Sequence, residues 1–330
     1  MQEQVPAAAK PPTAANRLSD VAARYQGLIV YLGFVLIVVF FSIVLRDKGF
    51  LTPDNLLNIL RQTTFVSIMA IGMTFALSAG EIDLSIGSTV ALSALVTAVF
   101  LRDFGIVLAI PVGLVVGLVI GLINGVITTK LRIPSFLVTL GMLGIISGLA
   151  RQLTNLQSVP VTDDLYTYVF GSGSMGPVPT LIIWTALILF VGHIVYRRTT
   201  FGRQVLATGG NRTAARYSGI ATDRIRIAVL VISSVTAAFA GMLFAGRLHG
   251  ARYTLGEEEL LTVIAAVVIG GTSLFGGRGS VIGAVIGSLI MGVLTNGLIL
   301  MGLTVSEQMI ARGAIIILAV ALSLREAKDS

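Results

Sequence analysis

Long apolar runs, broken by short polar stretches, recur from one end of this chain to the other. Many reach the roughly 20 residues an α-helix needs to cross a bilayer, so the pattern predicts membrane spans rather than a soluble core. Ten are drawn: Gly27 to Leu45, Thr64 to Ala79, Leu84 to Leu101, Gly105 to Thr128, Ser135 to Leu153, Pro179 to Tyr196, Ile227 to Leu248, Leu260 to Phe275, Val281 to Leu303 and Gln308 to Leu324. A longer polar loop, Thr154 to Val178, parts the fifth from the sixth.

Five spans per half is an odd number, so the second half runs through the membrane in the opposite sense to the first, which predicts an inverted repeat. A faint trace is present: Asn124 and Gly125 lie in the fourth span, and Asn296 and Gly297 in the ninth, its counterpart. The expected fold is all-α, with about ten transmembrane helices in two inverted five-helix halves.

Composition agrees: 55% of residues are apolar, 12% are charged and the mean hydropathy is +0.93. A net charge of +7 on a soluble face would suggest nucleic acid, but here the arginines sit in loops between apolar runs. Their placement sets topology instead, because positive loops are retained in the cytoplasm. The loop 197–226 holds Arg197, Arg198, Arg203, Arg212, Arg216, Arg224 and Arg226 against one acid, Asp223. Placing it inside puts Lys130, Arg132, Arg278, Arg325 and Lys328 inside too, with both termini cytoplasmic. Residues 1–25, Ala/Pro-rich, read as a disordered tail, 26–325 as the transmembrane body and 326–330 as a short C-terminal tail. Zero cysteines exclude disulfides and thiolate chemistry, and two histidines, His193 and His249, leave little for a metal centre.

Enzymatic signatures do not survive inspection. Gly171 to Gly176 (GSGSMG) matches a dinucleotide fingerprint literally, but without the strand and βαβ unit that give it meaning. A phosphate-binding P-loop needs Lys after Gly, and the four lysines follow Ala, Asp, Thr and Ala. No cofactor is expected on this chain.

Three features stand out. Gly113, Gly117, Gly121 and Gly125 line one face of the fourth span, where they allow close helix packing or border a path. Glu81, Asp83 and Ser85 fall between two spans that leave little loop between them; ionisable groups there are costly. They form either a short turn with helix caps or a broken helix that orders a translocation path, together with Asn124 and Asn296. In the arginine-rich loop, Asn211 can cap a short helix and Gly219 can end it. That helix is either a solvated basic element or a peg, with Ala214, Ala215 and Ser218 as its small face, that enters a groove on another protein.

Three stretches then carry a resemblance: Gly80 to Ser88 (GEIDLSIGS), Gly209 to Ile220 (GGNRTAARYSGI) and Val268 to Gly283 (VIGGTSLFGGRGSVIG). With them the chain resembles the permease family of bacterial ABC importers for monosaccharides, of the ribose, xylose and galactose type. The resemblance implies a type II importer-like fold in the inner membrane and pairing with a second permease copy. It also implies a cytoplasmic ABC ATPase that binds the ATP, a periplasmic sugar-binding protein, and alternating access as the mechanism. Gly209, Gly210, Asn211, Ala214, Ala215, Arg216, Ser218 and Gly219 then belong to a coupling helix that meets the ATPase. Related families move branched-chain amino acids, nucleosides or furanone signals. The chain departs from the family's common pattern at Glu81, where Gly is usual, and at Arg212 and Thr213, where Pro or Glu commonly follows the Asn.

Overall fold

The computed structural model describes residues 30–328. Its helices are α1 (Val30–Val44), α2 (Pro53–Ser78), α3 (Ile86–Phe104), α4 (Ile106–Lys130), α5 (Ser135–Leu153), α6 (Asp164–Thr167), α7 (Thr180–Arg198), α8 (Thr200–Gly210), α9 (Arg212–Tyr217), α10 (Thr222–Leu248), α11 (Glu259–Ile269), α12 (Val281–Met301) and α13 (Val305–Lys328). Sheet among the described residues is confined to two antiparallel pairs: β1 (Val159–Pro160) with β4 (Gly250–Ala251), and β2 (Ser174–Met175) with β3 (Val178–Pro179). The expected all-α polytopic membrane architecture is the one observed.

Each predicted span falls on a helix, but the count of ten is not reproduced as ten full crossings. Among the described residues seven helices, α2, α3, α4, α5, α7, α10 and α12, are long and apolar enough to cross a membrane, while α1 and α11 are shorter. The eighth span, expected to reach Phe275, ends at Ile269. There the Gly271 amide donates to the Val268 carbonyl at 2.9 Å and the Thr272 amide to that of Val267 at 3.1 Å, closing the helix around a left-handed Gly271 (φ +86°). The same closure ends α2 at Gly80 (φ +76°) and α9 at Gly219 (φ +85°). The loop 154–178 is more structured than expected: it holds α6 and both β1 and the β2–β3 pair. The tail 1–25 lies outside the described residues, and the tail expected from residue 326 begins inside α13, which continues to Lys328.

The packing follows the inverted pairing. α4 lies along α10, and α12, its counterpart, lies along α2; α3 packs on α4 and α5, as α11 packs on α12 and α13. Each half thus lends one long helix, α2 or α10, to the other. Both are buried along most of their length, whereas α4, α5 and α7 turn Val, Leu, Ile and Phe side chains outward. Outward apolar surface on helices of this length suits lipid as solvent. The four glycines of α4 make its seam with α10. A methyl group on Gly117 would sit 2.6 Å from the Ser234 carbonyl oxygen, one on Gly121 2.5 Å from Val231 Cα, and one on Gly125 2.8 Å from Ile227 Cα; Gly113 meets Thr97 and Met242. These glycines allow α4 to approach α10 and α3 closely.

Candidate functional site

The three stretches that stand out in the sequence meet at one end of the bundle, the arginine-rich end. The Gly277 amide donates to the Ser78 carbonyl at 3.0 Å, just before the Gly80 turn. A methyl on Gly276 would lie 2.7 Å from the Gly209 carbonyl oxygen, and one on Gly277 2.9 Å from Gly210 Cα. Gly209 is thus a backbone-to-backbone packing position, where a side chain would collide with the Ser78 carbonyl, whereas a methyl on Gly210 would stand at an ordinary 3.7 Å from Gly277 Cα.

Glu81 ties this seam together. Its carboxylate accepts from Arg226 Nε on α10 and, at 3.0 Å, from Arg212 on α9. The Glu81 and Arg226 side chains are 1% and 9% exposed, while Arg212 is 47% exposed. A carboxylate this buried is tolerated only with its charge matched and its lone pairs occupied, which two guanidiniums achieve. Glu81 and Arg212 are two of the positions at which the chain departs from the common family pattern, and they are bonded to each other across 131 residues.

α9 forms as its capping residues predict. Asn211 Oδ1 accepts the Ala214 amide at 3.0 Å, and the chain leaves through Gly219. Its outward face differs from the expected one. Ala215 is buried and α9 packs on the chain's own α8 and α10, so the exposed surface comprises Arg212, Thr213, Ala214, Arg216, Tyr217 and Ser218. Tyr217, which sequence reasoning passed over, is 89% exposed.

A second polar group lies deeper. The fully buried Asp83 accepts from the Ser85 hydroxyl at 2.6 Å, from the Ser85 amide at 3.0 Å and from Ser234 on α10 at 3.3 Å. Asn124 on α4 donates to Ser85 Oγ at 2.9 Å. Asp83 therefore closes a local turn on Ser85, the residue before α3, without capping that helix, and Asn124 joins it. Two further residues complete the segment. The Ile82 amide donates to Ser135 Oγ and the Leu84 amide to Thr139 Oγ1, each at 3.0 Å, and Thr139 returns a bond to the Ile82 carbonyl at 3.1 Å. Their signal was available as a hydroxyl pair four residues apart in the otherwise apolar first turns of α5.

Asn296 does not join this group. It exchanges two hydrogen bonds, 2.9 and 3.0 Å, with Asn55 in the first turn of α2, the end of that helix opposite Ser78. Asn124 and Asn296 occupy matching places in an inverted repeat, which sends them to opposite ends of the bundle.

Residues 55–320 match the family model described as the permease component of the branched-chain amino acid transport system. The chain belongs to this permease family. Among curated proteins it is 39% identical to the ribose import permease protein RbsC of Bacillus subtilis (strain 168), over 91% of this chain and 94% of that one. It is 36% identical to the L-arabinose ABC transporter permease protein AraH of Azospirillum brasilense, over 87% and 84% of the two chains. With the xylose transport system permease protein XylH of Escherichia coli (strain K12) it shares 34% identity over 94% of each. No solved structure matches. The seam and the buried break both lie within the part of this permease that the family model covers.

Proposed function

We propose that this permease is the membrane-spanning subunit of an ATP-driven importer of a monosaccharide. The sugar is delivered by a periplasmic binding protein, and the energy comes from a separate ATPase. The observation that carries it is similarity over nearly the full chain to relatives named for ribose, arabinose and xylose. The arginine-rich end faces the cytoplasm of an inner membrane, by the retention of positive loops. There α9 offers Ala214, Arg216, Tyr217 and Ser218 to the ATPase, and Glu81 links its first residue to α10 and the break, so displacement of α9 reaches the long helices directly. Two copies of the chain enclose the path. This chain makes and breaks no bond; its own contribution is to bind, couple and rock between two orientations.

The test is uptake of labelled ribose, xylose and arabinose by liposomes holding the permease with its ATPase and binding protein. Import that requires ATP and the binding protein is expected. Import by the permease alone points to an ion-coupled transporter, and import of a branched-chain amino acid in place of sugar moves the chain to the other substrate class of its family; either result overturns the reading.

A further inference from the structure

The two halves share an interruption in the same place. In the first, α2 is followed by the non-helical residues 79–85 before α3; in the second, α10 is followed by 249–258 before α11. Non-helical backbone inside a membrane is tolerated only where protein covers it or where it lines a cavity, so each interruption does one or the other.

The second interruption runs deep. α10 ends in the left-handed His249, whose carbonyl accepts the Val161 amide at 3.0 Å, and β4 pairs with β1. The chain then turns back along α3. Gly256 lies against α3, where a methyl on Gly87 would approach its carbonyl oxygen to 2.7 Å and a methyl on Gly256 would approach Val90 Cβ to 2.7 Å. Gly87 and Val90 belong to the first turns of α3, close to the buried Asp83. α11, at 11 residues, rises about 16 Å, roughly half of a bilayer core. Residues 252–258 therefore fill the half of that span away from the arginine-rich end.

The side chains on this stretch are not closed off. Arg151, near the end of α5, meets Glu257 at 3.4 Å with both side chains well exposed, and its guanidinium stands 5.2 Å from the centre of the Tyr253 ring. Glu258 is exposed beside them. Arg312, on the α13 that packs on α11, stands beside Glu259, seven residues in from Val305 and so roughly 10 Å from the helix start. Its Nε is buried with no hydrogen-bond partner among the described residues. Charges exposed on a membrane-spanning protein face water or another polar molecule, since lipid would not accept them. Three carboxylates (Glu257, Glu258, Glu259) and three guanidiniums (Arg151, Arg252, Arg312) balance, so no net charge selects an ion.

We propose that Tyr253, Glu257 and Glu258, with Arg151 and Arg312, form the station at which the permease holds its solute, a neutral polyhydroxy compound. Carboxylate oxygens accept from hydroxyl groups, guanidinium N–H groups donate to hydroxyl and ring oxygens, and the ring of Tyr253 covers a C–H face. This rests on the monosaccharide reading above.

The test uses the complete transporter in liposomes, with sugar imported per ATP hydrolysed as the readout and ribose and xylose offered together. Glu257→Gln and Tyr253→Ala are expected to lower that ratio roughly tenfold, the loss of one charged hydrogen bond or one packed ring. The proportion of ribose to xylose should change as well, and Tyr253→Phe should restore import. Unchanged ratios and preference in all three variants, while the unaltered transporter imports sugar, overturn the station alone; so does an import loss with preference unmoved. Failure of the unaltered transporter to import sugar overturns the underlying reading and the station with it.

Discussion

The interruptions after α2 and after α10 face the same difficulty and resolve it in opposite ways. Residues 79–85 leave backbone amides and carbonyls without helical partners, and Ser135, Thr139, Ser234 and Asn124 close around them until Asp83 and Glu81 are sealed. Residues 249–258 instead pair their backbone with other backbone, through the β4–β1 ladder and through turns such as the Leu255 amide to the Arg252 carbonyl at 3.1 Å, and leave their charged side chains open. The first is built as structure and the second as surface. Inverted repeats supply two copies of a break, and side-chain choice decides which is sealed.

That contrast is broken most decisively at Arg226. Arg226→Ala leaves the sealed Glu81 with a single, half-exposed partner and is expected to destabilise the protein by about 3–5 kcal/mol, read as a large drop in melting temperature in detergent. Thr139→Val strips partners from two backbone groups of the break and should cost about 2 kcal/mol by the same measurement. Arg212→Ala removes the exposed partner only. About 1 kcal/mol of stability and a clear loss of import per ATP are expected, and Arg212→Ala made on top of Glu81→Gln should add little to Glu81→Gln alone. Glu257→Gln sits at the bottom of the stability scale, because an exposed pair contributes roughly 0–1 kcal/mol. A melting temperature near that of the unaltered protein beside impaired import separates the open break from the sealed one; a large thermal loss there would show the two breaks to be alike.

Much of the sealed break was legible in advance. Carboxylates between closely spaced spans advertise a cost that something must offset, and Asn211 and Gly219 bracket α9 because capping is a local property of a few residues. The identity of the offsetting groups was not legible. Arg226 reads as one of seven arginines in a basic loop, and Ser135 as the edge of a span, until the fold carries them to Glu81 and Ile82. The open break stayed hidden because its helix continues in hydropathy: Leu260 to Phe275 has the apolar length of a crossing, but the glycines after Ile269 end the helix early and the residues before Glu259 supply the remainder unwound.

What the sequence determined by itself is what each short segment decides alone: that the chain lives in lipid, where its spans lie, which end gathers the arginines, and where helices are capped. Hydropathy, charge and capping act over a few residues at a time, so they can be read in one dimension. Tertiary structure alone decided which polar groups meet. Glu81 with Arg212 and Arg226, Asp83 with Ser234, and Asn296 with Asn55 rather than with Asn124's group are pairings across 131 to 241 residues. Such pairings depend on how long helices exchange between inverted halves, and that geometry is set by packing between helices rather than within any one of them.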